Sequence, residues 1–360
     1  EKICQIAEKE SVDLVLMAGD VYQTVNPPAW AENVFYETIH RLSDFGRRAV
    51  VVISGNHDNP ERIRAAHPLA DKQGIYLIGF PKDELHPTAV PRANAVTTVN
   101  AGVGVLELAI PTCSHAAVIT ALPYPSESRL QELLSENPDM ENIREAYSER
   151  IGQWFNKQSA YFRHDTVNLA MSHLFIQGGK ESDSERPIQL GGTYAVEADK
   201  LPDRAHYVAL GHLHRMQAVK QAKAPTYYAG SPLVYSFSEA GQEKAVIIVD
   251  AEPGQPAVTR AVPLTSGRPL TRWVVDGGMS QLEQWCEDGK DRDAWIDLEL
   301  HLQHPLTQEE IRRIRQLHNG FVNIRAVYPE TENLTHALTV DAKNPEALFR
   351  RFYYERTGGE

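Results

Sequence analysis

The sequence predicts a layered α/β fold followed by a smaller second domain, and two observations support this prediction. Short apolar strands alternate with helices from the start of the chain, as in "VDLVLMAGD" (12–20) and "RAVVVISGNHD" (48–58). Runs of four or more apolar residues between helices are typical of strands that are buried on both faces, as in layered α/β sheets. After "AEPGQPAV" (251–258) the pattern changes to a compact β-α-β-α-β unit, the size of a small separate domain.

The predicted elements of the larger part follow one another along the chain. Apolar residues at helical spacing predict helices at 1–10 and about 28–45, each leading into one of the two strands above. A long helical stretch rich in Glu, Gln and Arg is expected at about 126–161. The remaining predicted strands are 75–80, 104–110, 116–124, 165–173, 205–212, 225–230 and 244–250.

The end of the chain predicts the smaller unit and a tail. The strands expected there are 270–276, 294–300 and 321–327, and the helices lie near 279–287 and 307–318. A last helix is expected at 344–356, with Leu348, Phe349, Phe352 and Tyr353 on one side.

Composition limits the class of protein. With 360 residues, of which 42% are hydrophobic, the chain is long enough for one large domain and a smaller one. No run approaches the ~18 apolar residues of a membrane span, so no membrane association is expected. The three cysteines, Cys4, Cys113 and Cys286, are far apart, which disfavours a disulfide framework and predicts a reducing cytoplasm.

The net charge is evidence about partners. A formal charge of −12 argues against capture of nucleic acid by a broadly basic surface. It leaves open a local basic groove, or a metal centre that supplies its own positive charge.

Polar side chains stand at the ends of four predicted strands. Asp20 ends "AGD", the tetrapeptide "GNHD" spans 55–58, and His173 ends "SH". His212 and His214 both lie in "GHLH" (211–214). Because ligands of open α/β sheets bind beyond the carboxyl ends of the strands, we expect these side chains to form one cluster.

The residue types of this cluster predict a catalytic metal centre. Carboxylate, amide oxygen and imidazole without thiolate suit Mn, Fe or Zn rather than a closed structural zinc site. Asp20 can bridge two cations, and a bridged pair roughly 3.5–4 Å apart activates water and clamps a phosphoryl group. His57 would then donate a proton to the leaving oxygen or stabilise charge, and Asp58 would orient its ring.

Each motif also has an ordinary structural interpretation when it is taken alone. Asp20 can be a cap or turn residue, "GNHD" a turn that uses the flexibility of Gly-Asn, and His173 a packed core histidine. "GHLH" is more specific, since residues i and i+2 share a face of a strand. All four motifs in this order, each at a strand end, favour the metal centre.

The series "GD…GNHD…H…GHLH" resembles the signature of calcineurin-like metallophosphoesterases. Five longer stretches resemble the SbcD exonuclease family: "AGDVYQTVNPPA" (18–29), "VVISGNHDNPERI" (51–63), "YVALGHLHRMQ" (207–217), "YAGSPLVYSFSEAGQEKAVIIVD" (228–250) and "LHNGFVNIRAVYPE" (317–330). The resemblance implies a metallophosphoesterase β-sandwich flanked by helices. It also implies a nuclease subunit that cleaves DNA ends and hairpins together with an SbcC-type ATPase, and that forms a homodimer.

The resemblance assigns roles to residues and regions. It implies two Mn²⁺ ions, with Mg²⁺, Fe or Zn as alternatives, and Asp20 as the bridging ligand. Asn56, His173 and His212 match the ligands of the second metal, His214 a ligand of the first, and His57 the catalytic histidine. Residues 1–265 match the nuclease domain, 266–335 a DNA-capping domain, and 336–360 a linker and the start of the region that docks on the ATPase.

The chain departs from the family pattern at three places. The family begins with a strand that carries Asp-x-His for the first metal, whereas this chain starts in the following helix. The last position of the "GDxxD" motif is Gln23, and the C-terminus stops inside the expected docking region. We therefore expect a chain that lacks both ends, binds one metal better than two and has little nuclease activity.

Local basic residues are the predicted DNA contacts. They are Arg62, Arg64, Lys180, Arg186 and Arg215, with Arg312, Arg313 and Arg315 in the small domain. A single surface charge of this kind is more often simply solvated. Two other functions stay open, a small-molecule phosphodiesterase or nucleotidase and a non-catalytic scaffold. The small domain and tail favour the nuclease, and the retained His57 disfavours the scaffold.

Overall fold

The computed structural model describes residues 1–130, 140–186 and 194–329, together with positions 188 and 349. The chain divides into two compact units between Thr271 and Arg272. The predicted helix at 344–356 and the region 336–360 lie outside the described residues, apart from Phe349. Within the described ranges no helix combines the length and the apolar character needed to cross a membrane.

The first unit begins with a parallel three-stranded sheet in the order β1-β2-β3. Its elements, in chain order, are α1 (Lys2–Lys9), β1 (Leu14–Ala18), α2 (Ala29–Leu42), β2 (Ala49–Ile53), α3 (Pro60–Arg64), α4 (His67–Ala70) and β3 (Ile75–Ile78). Side chains of α1, α2 and α3 pack on one face of this sheet; Cys4, Ile39 and Ile63 share a core with Val50 and Val52.

A seven-stranded sheet follows, in the order β11-β12-β10-β7-β6-β5-β4. Its strands are β4 (Thr97–Gly102), β5 (Val105–Ala109), β6 (Ala117–Leu122), β7 (Val167–His173), β10 (Tyr207–Gly211), β11 (Gln217–Ala218) and β12 (Thr226–Tyr228). The remaining elements are α5 (Glu127–Leu130), α6 (Met140–Gln158), the short pair β8 (Phe175–Ile176) and β9 (Ala195–Val196), and the hairpin β13 (Ala245–Asp250) and β14 (Val258–Pro263).

The two sheets pack face to face and form a sandwich. Val51 and Ile53 of β2 share one buried core with Ile119 of β6 and Met171 of β7. The other face of the seven-stranded sheet is covered by α6, whose side chains pack against strand residues in a second core. The order helix, sheet, sheet, helix confirms the layered α/β prediction and the β-sandwich that the resemblance implied.

The sequence pattern missed the two-residue strands β8, β9 and β11 and two longer strands of this unit, β4 and β14. Both pair antiparallel with a neighbour in sequence and leave many of their side chains exposed or half-buried. Polar residues such as Asn100 and Arg260 therefore interrupt the apolar run by which the buried parallel strands were recognised.

The second unit has the predicted β-α-β-α-β order. Its elements are β15 (Leu270–Val275), α7 (Gly278–Glu287), β16 (Trp295–His301), α8 (Gln308–Leu317) and β17 (Phe321–Val327), with the strands in the order β15-β16-β17. Trp273, Leu282, Ile296 and Ile314 lie in its own buried core.

Candidate metal centre

The carboxyl ends of β1, β2, β7 and β10 meet at one edge of the sandwich. Ala18 pairs with Ile53 at the ends of β1 and β2, and His173 pairs with Gly211 at the ends of β7 and β10. The two sheets are linked at this edge, since Nδ1 of His173 lies 2.8 Å from the carbonyl oxygen of Ala18. The sequence prediction that four distant motifs converge is thus what the fold produces.

Three glycines allow the motifs to approach so closely. A β-carbon on Gly211 would lie 1.7 Å from the carbonyl oxygen of Ala18, and one on Gly55 would lie 2.1 Å from the Asp20 carboxylate. A β-carbon on Gly19 would lie 2.4 Å from Nδ1 of His173. These distances are far below van der Waals contact, so a larger residue at any of the three positions must displace the site.

Three ligand-type side chains lie together at this edge. One ligand atom each from Asp20, His173 and His212 falls within 4.8 Å of the other two. Nε2 of His173 is 3.2 Å from Oδ2 of Asp20 and 2.9 Å from Oδ1 of Asn56. Asp20 and His212 have backbone φ values of 50° and 103°, so the chain is strained where it presents both side chains.

The residues present fit a divalent cation. Carboxylate oxygen, amide oxygen and imidazole nitrogen converge, which is the donor set expected for a Mn, Fe or Zn site. Nε2 of His212 is buried and has no hydrogen-bond partner within the described part of the chain. A buried nitrogen without a partner costs free energy, and a bound cation would remove that cost.

Charges and burial set the pKa values of these groups. Burial and the nearby charge of His173 lower the pKa of His212 to about 3, so its imidazole is neutral and able to act as a ligand. Burial would raise the pKa of Asp20, but the charge and hydrogen bond of His173 lower it well below its usual range. Burial would lower the pKa of His173, but the Asp20 carboxylate raises it.

His57 lies beside this group and is buried. Its backbone N–H donates to Oδ1 of Asp20 at 3.0 Å, and Nε2 of its ring is 3.9 Å from Oδ2 of the same carboxylate. Nδ1 lies 3.0 Å from the backbone carbonyl of Gln23. Because a carbonyl only accepts, Nδ1 carries the proton and Nε2 is the nitrogen that faces the site.

The ring of His57 therefore has a different partner from the predicted one. Both carboxylate oxygens of Asp58 accept backbone N–H groups, from Val21 at 3.1 Å, Tyr22 at 2.9 Å and Gly55 at 2.7 Å. Asp58 thus ties the loop after Asp20 to the "GNHD" turn, and the Gln23 carbonyl orients the ring. The prediction for Asp58 is corrected accordingly, because a carboxylate inside a tight turn is nearest to backbone donors.

His214 lies apart from the three grouped ligand atoms. Its Nδ1 is 2.5 Å from Oγ of Ser184 and 3.5 Å from Oε1 of Glu239. Its predicted role as a ligand of the first metal stays a prediction.

Comparisons with known proteins identify the family. Residues 1–216 match the calcineurin-like phosphoesterase family, and residues 266–357 match the SbcD C-terminal family, described as the type 5 capsule protein repressor C-terminal domain. The chain is similar to the SbcD subunit of nuclease SbcCD from Bacillus subtilis, with 44% identity over 359 residues, which cover 100% of this chain and 87% of the relative. It is also similar to the SbcD subunit of nuclease SbcCD from Staphylococcus epidermidis, with 27% identity over 98% of this chain and 85% of the relative.

The chain belongs to the calcineurin-like phosphoesterases. Full-length similarity places it among the SbcD nuclease subunits of that family, which confirms the resemblance seen in the sequence motifs. As a member it is a metal-dependent hydrolase, and the group of Asp20, His173 and His212 is the candidate cation site of this phosphoesterase.

Sequence reasoning missed Arg129, which holds the "GNHD" turn of this phosphoesterase. Its guanidinium donates to the carbonyl oxygens of Gly55 at 2.8 Å and Asp58 at 2.7 Å, and to Oγ of Ser54 at 3.2 Å. It also lies over the ring of Tyr124, 5.1 Å from the centroid. No signal in the sequence points to this role, because Arg129 occupies a stretch that is rich in charged residues.

Glu239 was missed as well. It is fully buried, and its Oε2 lies 2.6 Å from Nζ of Lys244, which is 5% exposed. Burial would raise the pKa of Glu239, but hydrogen bonds from His214, Lys244 and Ser184 lower it to about 2. Its one sequence signal is its position inside the stretch 228–250, where "SFSEAGQEK" has no helical or strand period.

The five predicted DNA contacts of the first unit fall into two groups. Arg62 pairs with Glu32 at 2.8 Å and Arg64 with Asp83 at 2.7 Å, so carboxylates already balance these two charges. Lys180, Arg186 and Arg215 are exposed, and none of them forms an ion pair with another described residue. The second group is therefore the better source of charge for a phosphate backbone.

Proposed function

We propose that this phosphoesterase hydrolyses DNA phosphodiester bonds, at ends and hairpins, as the nuclease subunit of a complex with an SbcC-type ATPase. The observation that carries the proposal is the group of Asp20, His173 and His212, which lies at the strand-end edge beside the buried ring of His57. Both relatives are named as the SbcD subunit of nuclease SbcCD, which supports the substrate class and the partner.

The residues present would hold two divalent cations, which we propose to be Mn²⁺. Asn56, His173 and His212 would bind one ion together with Asp20, and this is the site that the chain holds better; His214 and Asp20 would bind the other ion more weakly. When bound, such a pair of ions lowers the pKa of water and neutralises charge on the phosphoryl group.

The protein's own contribution is to orient the reacting groups. The Gln23 carbonyl keeps a proton on Nδ1 of His57, so Nε2 is the nitrogen that faces the site. We propose that the ring acts in its doubly protonated form, in which Nε2 carries a second proton that it gives to the leaving oxygen or uses to stabilise the negative charge of that oxygen. Arg129 and Asp58 hold the loop that carries Asn56 and His57, which preserves this orientation.

A hydrolysis assay tests the proposal. With manganese, the protein together with its ATPase partner should degrade duplex and hairpin DNA at a low but measurable rate, and His57→Asn should abolish this cleavage while the protein still binds manganese. Hydrolysis confined to cyclic nucleotides or mononucleotides would identify a small-molecule phosphoesterase instead. Manganese binding without hydrolysis of any phosphodiester would favour the non-catalytic scaffold.

We also propose that the protein forms a homodimer through α2. Trp30 and Val34 of this helix are 71% and 55% exposed, and Val25 before it is 47% exposed, which is unusual for large apolar side chains. Light scattering should give twice the chain mass, and Trp30→Glu with Val34→Glu should give the monomer. If the double variant stays dimeric but loses the ATPase partner, this face binds the ATPase.

A further inference from the structure

The strongest unassigned feature is a buried polar network around His214. We define it by Ser184, Glu185, Glu239 and Lys244, and each member contacts the histidine. Oε1 of Glu185 accepts the backbone N–H of His214 at 2.7 Å, and Nζ of Lys244 donates to its backbone carbonyl at 2.8 Å. Ser184 and Glu239 contact the ring. The network therefore fixes both the backbone and the side chain of one residue.

The hydrogen-bond directions inside the network determine which ring nitrogen carries the proton. A carboxylate only accepts, so the Ser184 hydroxyl donates its single hydrogen to Oε1 of Glu239. The same hydroxyl oxygen must then accept from the ring, which places a hydrogen on Nδ1 of His214. Nε2 is left with its lone pair, which is the form of histidine that binds a cation.

Lys244 fixes Glu239 in the position that this arrangement requires. Its ammonium bonds Oε2 of Glu239 at 2.6 Å and Oγ of Ser231 at 2.9 Å, which leaves Oε1 directed towards Ser184 and the His214 ring. A buried ion pair is often no more stabilising than apolar residues of similar volume. Its presence here is therefore better explained by what it orients than by stability.

We propose that Glu239, held by Lys244, is a positioning residue that keeps His214 in the Nδ1-protonated form with Nε2 free to bind a divalent cation. This rests on the proposed function for the metal role of His214. Ser184 transmits the effect from Glu239 to the ring.

Calorimetric titration of the metal-free protein with Mn²⁺ tests the metal side of the proposal. Glu239→Gln keeps the size of the side chain but removes its charge and its pairing with Lys244. We expect it to weaken one of the Mn²⁺ sites by about 10- to 100-fold, the usual effect of losing an outer partner of a histidine ligand. His214→Ala should weaken the same site, and the double variant should bind no more weakly than His214→Ala.

Glu107→Gln is the matched control. Glu107 is also buried and pairs with a cation, Arg163 at 2.8 Å, but the pair takes no part in the network. The control should lower the melting temperature and leave Mn²⁺ affinity unchanged. If Glu239→Gln behaves in the same way, with a lower melting temperature and wild-type affinity, while His214→Ala does weaken Mn²⁺ binding, the pair is structural and the proposal is overturned.

Histidine-selective ¹⁵N NMR of the metal-free protein separates this proposal from the metal role of His214. The wild type should show the Nδ1-protonated form at His214, and Glu239→Gln should show a mixture of the two neutral forms. If His214→Ala leaves Mn²⁺ binding unchanged, the metal role fails, while the NMR result still decides the positioning role. A wild-type His214 protonated on Nε2 alone would overturn the positioning role itself.

Discussion

His212 and His214 stand two residues apart in one motif, yet the protein holds them in opposite ways. Nε2 of His212 is buried without a hydrogen-bond partner among the described residues, and its backbone φ is 103°. The ring of His214 is held by Ser184 and Glu239. Nε2 of His212 is thus left free to bind a cation, whereas the ring of His214 is held in one orientation by its hydrogen-bond partners.

The difference shows two ways to prepare a ligand. An unpartnered buried nitrogen and a positive φ cost about 1–3 kcal/mol each, so the His212 side stores free energy that a bound cation releases. His214 stores none in this way, because its Nδ1, its backbone N–H and its backbone carbonyl all have partners; these contacts orient the ring instead. Substitutions around His212 should therefore have different effects from substitutions around His214.

Asp20→Asn tests the group around His212 most directly. The amide keeps an acceptor for the His57 backbone but loses the charge that two cations would share. We expect nuclease activity to fall by roughly 10²–10³-fold, as when a major electrostatic group is removed from an active site. Rates of DNA cleavage at saturating manganese measure this. Asp203→Asn, an exposed residue paired with Lys223, is the control, and equal effects of the two variants would contradict the assignment.

Gly211→Ala tests whether the close approach of the two sheets is needed to form the group of Asp20, His173 and His212. The new β-carbon would lie 1.7 Å from the Ala18 carbonyl oxygen, so we expect a loss of unfolding free energy at the upper end of ~1–3 kcal/mol, and weaker metal binding. Gly254→Ala is the control: φ is +74° but the β-carbon meets no atom within 4 Å, so only strain of about 1 kcal/mol applies. Urea denaturation measures the free energy of unfolding of both variants, and titration with manganese measures their metal binding. Equal losses, with metal binding intact in both, would show that the approach is not needed.

Arg129→Met tests the turn that carries Asn56 and His57. It leaves the carbonyls of Gly55 and Asp58 without their charged donor, which should cost about 1–3 kcal/mol of unfolding free energy and reduce activity through Asn56 and His57. Arg129→Lys should recover little, since an ammonium cannot reproduce the fork of the guanidinium. Thermal unfolding and cleavage rates on the same samples measure this. Full activity in Arg129→Met would show that Arg129 plays no part in the active site.

Arg215→Ala should have the smallest effect. Its charge is exposed next to His214 and forms no ion pair with another described residue, so its loss should weaken DNA binding at all sequences alike. The slope of log affinity against log salt should fall by about 1. Fluorescence anisotropy between low and moderate salt measures the slope, with Lys223→Ala as the control. An unchanged slope would exclude Arg215 from the DNA path.

Much of the fold was readable from the sequence, because strands buried on both faces must be apolar throughout. β2 and β10 follow this rule, β1 is apolar although half-buried, and β7 is apolar except for Asn168 and its last two residues. A polar residue at the end of each strand or shortly after it marks the site. β4 and β14 were not readable, because partly exposed strands in antiparallel pairs carry mixed side chains. The motif residues could be recognised from their ligand-type side chains. Arg129 and Glu239 act through buried contacts, and these contacts give no periodic pattern in the sequence.

The sequence by itself determined the strand ends, the donor types and the order in which they occur. Tertiary structure decided which donors meet, that the Gln23 carbonyl rather than Asp58 orients His57, and that His212 is unpartnered while His214 is held. The physical reason is that hydrogen bonds and desolvation depend on atoms brought together from strands far apart in the chain. Two histidines in one tetrapeptide are alike in sequence and become different only through their neighbours in space.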